Sequence, residues 1–450
     1  MRNEDVQMSE MKRVFYNVPF CNTLFFLRNT NNSAWSFGRF IILFFMSYAR
    51  RYPVKKMKLK TFGDFAEIIW KKFLILGENS CRIDVVFDLY YADSIKSHER
   101  QRRATHDVII ANIAHLDQPL PVEIEKFWTS SENKVKFQQF FIEWVSNTYK
   151  GDKPVYLGGC HISSLQCCVK VSQGTVEQFP SLRCSYEEAD DRMMYHITQA
   201  VDRLYYQRVF VCSGDTDVFV SLMFHFETQW KHKQVNELWV VHGDQVSPVH
   251  KAISCLDPSL ACILPAVHAL TGCDTTSKIS TKASAFRVAK EEHCKQYLKD
   301  FLMKELDHDL CLKVEHFLVK CLSRNKSLKT FDDLRFSMYH KTSFKLDLEK
   351  LPPTSSSIHL HIQRAYLQCQ LWVNAASKEL TLDPCDYGYK KVDNMLFPII
   401  TLTNEPLPVD FPKPCKCLKC ARPTICPCRK LNITCCEFCN CGTECKNPMK

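Results

Sequence analysis

Two sets of residues in this sequence have types and spacings that could do chemistry. The first is a set of carboxylates. Asp88 ends the apolar run Ile83 to Phe87. Glu188 and Asp190 open an amphipathic stretch, Asp215 and Asp217 follow the run Arg208 to Cys212, and Asp274 follows Gly272-Cys273. In a parallel sheet, ligands bind beyond the carboxyl ends of the strands. Six acids gathered there repel one another unless divalent cations sit among them. Hard oxygen donors select Mg²⁺ or Mn²⁺, and pairs of such ions drive phosphodiester hydrolysis. Each acid also has a simpler role open to it. Ser185-x-x-Glu188 reads as a capping box, Asp190 suits a first helical turn, Asp215 could cap a helix starting near Thr216, and Asp88 could be a turn residue.

The second set is cysteines. Ten of the 25 lie between Cys415 and Cys445, and the other 15 are scattered, mostly in apolar stretches where they read as reduced core thiols. Crowded thiolates repel and oxidise unless a soft cation neutralises them. The segment has only Leu418, Ile425, Leu431, Ile433 and Phe438 as sizeable apolar side chains, too few for a core. Zn²⁺ bound by four thiolates supplies the missing folding free energy. Two separate sites need eight sulfurs, and a three-zinc cluster with bridging thiolates can use nine.

The elements that must position the acids alternate along the chain. Ile83 to Phe87, Pro154 to Leu157 (stopped by Gly158-Gly159), Arg208 to Cys212 and Leu238 to Val241 read as strands. Lys134 to Tyr149 and Glu187 to Tyr205 carry apolar residues at helical spacing, and Ser259 to Leu270 reads as a helix stopped by Gly272. Near-continuous apolar strands alternating with helices predict an α/β fold with a mostly parallel central sheet covered on both faces. A helical extension follows from about 290 to 375.

The chain has 450 residues, 46% hydrophobic and 24% charged, which excludes wholesale disorder. Its longest apolar run, Phe40 to Met46, is too short to span a bilayer. No secretory signal is visible at the N-terminus, so an intracellular, non-membrane protein is expected. The formal charge of +10 is uneven: residues 11–63 hold ten Lys/Arg and no acid, and residues 411–450 hold eight Lys/Arg against two Glu. Two basic ends around an acidic body suggest a polyanionic partner such as nucleic acid, hence a nuclear location, although a solvated charge excess reads the same way.

In order, Val86-Phe87-Asp88, Glu188-Ala189-Asp190, Asp215-Thr216-Asp217 and Gly272-Cys273-Asp274 resemble the acids of the PIN-like superfamily of flap endonucleases and related 5′ nucleases. The resemblance implies a PIN-like three-layer fold and two divalent ions, Mg²⁺ or Mn²⁺, held by Asp88, Glu188, Asp190, Asp215, Asp217 and Asp274. It also implies that Lys96 and Arg103, seven residues apart and so on one helix face, grip the scissile phosphate; a solvated basic face is the plainer reading of the same residues. The strings VVFDLYYADSIKSHERQRR, EEADDRMMYHI, SGDTDVFV, HALTGCDTTS and LPPTSSSIHLHIQRAYLQCQLW look like a group of invertebrate proteins, of mobile-element character, that join a PIN-like domain to a C-terminal CXC-like cluster. The tail itself resembles the CXC (tesmin-like) zinc domain at Cys415, Cys417, Cys420, Cys426, Cys428, Cys435, Cys439, Cys441 and Cys445, with Cys436 surplus.

Three positions depart from these patterns. The family's first acid ends its first strand, but here no Asp or Glu stands between Glu10 and Asp64; Phe40 to Met46 could be that strand, and Ser47 follows it. Ser280-Thr281-Lys282 stands where the nucleases carry glycine-rich turns. Ile425 replaces the tyrosine of DNA-reading CXC domains. The expected organisation is a basic segment at 1–60, a PIN-like domain at 61–290, a helical extension and irregular linker at 291–410, and a zinc cluster at 411–450. The expected function is a metal-dependent nuclease-like protein with an incomplete acid set. A nucleic-acid-binding pseudoenzyme and a zinc-stabilised interaction module are the alternatives.

Overall fold

The computed structural model describes residues 21–22, 39–50, 53–91, 94–96, 110–162, 165–204, 206–242, 245–341, 350–400, 415–418, 420–422, 425–430, 434–435, 439–441 and 445–447. They fall into two compact units. One holds the described residues up to Ser327 together with His359–Ile399. The other holds those of 328–358 and 400–450.

The first unit is built on a nine-stranded sheet. In chain order its strands are β1 (Cys21–Asn22), β2 (Arg39–Phe44), β3 (Arg82–Val86), β4 (Val155–Ile162), β5 (Leu165–Ser172), β6 (Thr175–Gln178), β7 (Arg208–Cys212), β8 (Glu237–His242) and β9 (Gln245–Pro248), and in space they run β1-β9-β8-β7-β2-β3-β4-β5-β6. The five central strands, β8-β7-β2-β3-β4, are mutually parallel, and the outer strands on each side pair antiparallel. The apolar run from Phe40 is therefore the middle strand of the sheet. Its residues Phe40 to Leu43 have no exposure because strands flank it on both sides and helices cover both faces.

On one face Ile41, Leu43, Ile83, Val85 and Leu157 pack with helices Phe62–Leu76 and Ser131–Thr148 through Phe65, Phe73, Phe137 and Phe141. On the other lies helix Ala189–Leu204, whose His196 reaches Asp84 of β3 and lies against Gly158 of β4. The result is a three-layer α/β arrangement.

Three local expectations need correction. Gly158-Gly159 does not stop β4. The strand runs on to Ile162 through a register shift between Gly158 and Cys160, and Gly159 takes φ +95° there, where a Cβ would lie 2.5 Å from the Phe87 carbonyl oxygen. The predicted helix from Ser259 to Leu270 is two helices, Pro258–Ala261 and Leu264–Thr271. Pro265 breaks the run because it has no N–H for an interior helical bond and suits a helix start instead. The stretch before residue 400 carries a hairpin, Tyr389–Val392 with Met395–Pro398, where irregular chain was expected. Helices Glu292–Met303, His308–Leu322, Phe331–Lys341 and Ser355–Asn374 occupy the extension. No helix among the described residues is long and apolar enough to cross a membrane.

Candidate functional site: an acidic cleft and a cysteine cluster

Chain order creates a switch point in the parallel sheet. From β2 the chain moves outward to β3 and β4 on one side, then returns to place β7 and β8 on the other. A crevice opens at the carboxyl ends on either side of such a point. Asp88 lies two residues beyond β3 and Asp215 three beyond β7. β2 ends at Phe44 and the chain turns at once into helix Phe45–Ala49, with no acid before Asp64. Phe45 and Met46 are buried, at 0% and 3% exposure. The chain leaving the middle strand thus offers buried apolar side chains, while the segments leaving its neighbours offer acids.

The other acids arrive from helix ends. Asp88 does more than turn the chain: its Oδ1 accepts the Ala189 N–H at 2.9 Å, and its Oδ2 accepts the Tyr90 hydroxyl at 3.2 Å. That bond anchors the start of helix Ala189–Leu204 to the end of β3, and so brings Glu188, Asp190 and Asp191 to Asp88. The Ser185–Glu188 capping box does not take this place. Ser185 Oγ accepts the Leu380 amide, and Glu188 Oε2 lies 3.0 Å from Lys96 Nζ. Asp215 caps helix Thr216–Thr228 by accepting the Asp217 N–H at 3.0 Å, as its sequence position allowed. Asp217 Oδ1 in turn lies 2.7 Å from His268 Nε2. Asp274 sits exposed in the turn after Gly272. Glu188, Asp190, Asp191, Asp217 and Lys96 line one cleft, with Trp372 and Gln368 of the C-terminal helix in its wall. Arg103 lies outside the described residues.

The electrostatics are those of an under-neutralised acidic site. Burial, then the charge of Glu188, pushes Asp88 up to about 6. Burial and Glu188 likewise push Asp191 up to about 7. Asp190 is raised well above the usual carboxylate range by burial and by Asp215. Asp215 is raised by the surrounding protein, which thins its hydration, and by Asp217. At Lys96 burial opposes the charge, but Glu188, Asp190 and Asp274 outweigh it and hold the ammonium on.

Two residues here were not singled out in the sequence. Asp191 is one; it lies three residues beyond Glu188 and so shares its helix face, a spacing that could have found it. His268 is the other; nothing in its local sequence marks it. Whether the acids suit a hard cation can be judged from their oxygens. Oδ1 of Asp190 and Oδ1 of Asp191 are buried without a hydrogen-bond partner. Partnerless carboxyl oxygens in an all-carboxylate set fit Mg²⁺ or Mn²⁺. Among the described residues no three of these carboxylates bring oxygens within 4.8 Å of one another, so a cation would have to draw them in.

In the second unit the nine described cysteines of the tail gather into one cluster; Cys436 lies outside the described residues. Three groups of four have Sγ atoms within 4.8 Å: Cys415, Cys420, Cys426 and Cys435; Cys415, Cys428, Cys435 and Cys439; and Cys420, Cys435, Cys441 and Cys445. Cys415, Cys420 and Cys435 form a triangle with sulfur separations of 3.3, 3.5 and 3.8 Å. Thiolates around a tetrahedral zinc at about 2.3 Å stand about 3.8 Å apart, so the cluster is compatible with zinc. Asn447 braces it, its side-chain amide donating to Cys435 Sγ at 3.4 Å and its carbonyl accepting the Cys435 N–H at 2.8 Å.

No family model, no curated protein and no solved structure matches this chain.

Proposed function

We propose that this chain is a divalent-cation-dependent, nuclease-like protein of PIN/5′-nuclease type that acts on nucleic acid. The observation that carries the reading is the presence of Glu188, Asp190, Asp191 and Asp217 in one cleft, with Asp88 hydrogen-bonded to the Ala189 amide and Asp215 to the Asp217 amide, and with partnerless buried oxygens on Asp190 and Asp191. Strand order supports the PIN-like fold, and the basic terminal segments support a phosphodiester partner. Asp190, Asp191 and Asp217 would hold the cation. When bound, such an ion lowers the pKa of water and neutralises charge on a phosphoryl oxygen. The chain's own residues arrange the rest. Asp88 fixes the helix start that presents Glu188 to Asp191, Asp215 sets the first turn that presents Asp217, and His268 orients the Asp217 carboxylate.

A second reading has its own observation. The middle strand ends at Phe44 and runs into helix Phe45–Ala49 with no acid before Asp64, so the two-ion acid set lacks a first-strand member. That favours a protein that binds nucleic acid but cleaves it slowly or not at all.

For the tail we infer a three-zinc cluster. Cys415, Cys420 and Cys435, which recur among the four-sulfur groups, would be shared between ions; Cys428 with Cys439, Cys441 with Cys445, and Cys426 with Cys417 would supply the remaining thiolates, so that all nine sulfurs would be used.

Cleavage of single-stranded and flapped DNA with Mn²⁺ separates the first two readings, with Asp215→Asn as control. Asparagine keeps the cap on helix Thr216–Thr228 and removes only the charge. Cleavage lost in Asp215→Asn supports the enzyme. Binding that weakens steeply with salt, without cleavage, supports the pseudoenzyme. Neither cleavage nor salt-sensitive binding points to an interaction module.

A further inference from the structure

We propose that Lys96 is the resident counter-cation of the acidic cleft, so that the cleft takes one divalent cation, on Asp190 and Asp191, rather than a pair. The inference rests on the cation-dependent reading above and specifies its stoichiometry.

The oxygens of the site are unequally committed. Both oxygens of Asp88 accept hydrogen bonds, from Ala189 and Tyr90. One oxygen of Asp215 accepts the Asp217 amide, and one of Asp217 meets His268. Glu188 Oε2 is held by Lys96 Nζ at 3.0 Å, with both side chains 25% exposed. Against these, Oδ1 of Asp190 and Oδ1 of Asp191 have no partner, and Asp191 is only 4% exposed while lining the cleft. A buried oxygen left unsatisfied is costly, so these are the oxygens a cation would complete.

Glu188 is differently placed. The middle strand adds no carboxylate here, because it ends at Phe44 and runs into helix Phe45–Ala49, so a second ion would have to be held by Glu188 itself. The positive charge at Glu188 is already supplied: the Lys96 ammonium touches it and lies in the field of Asp190 and Asp274. A tethered ammonium does not dissociate, so a second dication would have to displace it from Glu188 and then sit beside it. Where the family resemblance has this lysine facing the phosphate, here it faces the acids.

The test counts bound Mn²⁺ by paramagnetic resonance of the free ion, on the full-length zinc-loaded protein, with thermal unfolding in the same buffers. Wild type should bind one Mn²⁺, and Asp191→Asn should lose it. Lys96→Gln should bind Mn²⁺ at least tenfold more tightly and admit a second ion. Lys96→Arg, which keeps the charge, should stay at one. Should Lys96→Gln be unfolded in chelator, Mn²⁺ must restore its thermal transition in place of the lost charge; failure to do so overturns the proposal. An unchanged count and affinity in Lys96→Gln, or a second ion in wild type or Lys96→Arg, overturns the counter-cation role and leaves the cation-dependent reading standing. No Mn²⁺ bound by wild type or Lys96→Gln sinks both.

Discussion

The Asp84 carboxylate, fully buried at the middle of β3, lies 2.7 Å from Nδ1 of His196 on the helix that carries Asp190 and Asp191. The same carboxylate takes both Nε and an Nη of Arg82, at 2.6 and 2.7 Å. Burial works against its charge, but Arg82 and His196 outweigh it and hold the carboxyl below the usual range. This strand-to-helix tie therefore sets the height of the helix against the sheet, and with it the distance from Asp88 to the other acids. Removing one partner leaves a buried charge uncompensated. Asp84→Ala should cost about 3–5 kcal/mol in urea unfolding. A loss under 1 kcal/mol would show that water reaches Arg82 and that the tie does not fix the helix.

Acid should destabilise the protein partly through two buried histidines. His225 and His361 lie with Nε2 2.8 and 2.9 Å from the carbonyls of Trp372 and Leu270. Burial holds each down to about 4. The unfolded value is about 6.5, so on acidification the unfolded chain takes up these protons first. Stability from each is full above pH 6.5 and is lost as pH falls toward 4. Between pH 6 and 5 each should contribute a slope of about 1 kcal/mol per pH unit. His361→Gln should flatten the wild-type slope by nearly one proton, read from urea unfolding at several pH values. An unaltered slope would mean the ring titrates as it does in the unfolded chain.

Gly272 ends helix Leu264–Thr271 with φ +118°, and a Cβ there would come 2.7 Å from the Lys278 Cα. Both the backbone conformation and the space demand glycine. Gly272→Ala should cost about 1–3 kcal/mol. Because Lys282 Nζ ties the Gly272 carbonyl to that of His268, whose ring lies against Asp217, the variant should also bind Mn²⁺ more weakly than wild type. Calorimetric unfolding and the Mn²⁺ count read the two effects separately.

The cysteines of the tail should differ in consequence. Cys435 belongs to all three four-sulfur groups and Cys445 to one. On the three-zinc proposal, Cys435→Ser should lose at least two ions, and Cys445→Ser no more than one, by elemental analysis of the full-length protein. Cys436→Ser should lose none, since Cys435 holds the family-matching position. Equal losses from Cys435→Ser and Cys445→Ser would argue for separate sites without bridging.

What could be read along the chain was whatever rests on local pattern. Apolar runs gave β3, β7 and β8 nearly to the residue, because parallel strands buried on both faces are continuous in hydrophobicity. Spacing alone marked the cysteine tail, because a segment with no core must find its folding energy in metal. Asp215 as a cap was equally local. The antiparallel margins β5, β6 and β9 were not legible; short edge strands with mixed polarity carry no distinctive period. Asp84 looked like an interruption in an apolar run until the fold placed Arg82 and His196 on it. His268 became part of the site only when helix Leu264–Thr271 came beside Asp217, 51 residues away in sequence. The lack of an acid after the run Phe40 to Met46 was plain from the start, but its place in the fold was not. Only the pairing of β2 with β3 and β7 sets that gap between the strands that lead to Asp88 and Asp215. Hydrogen-bonded register is a long-range property: it depends on which strands become neighbours, and pattern within a single strand cannot specify that.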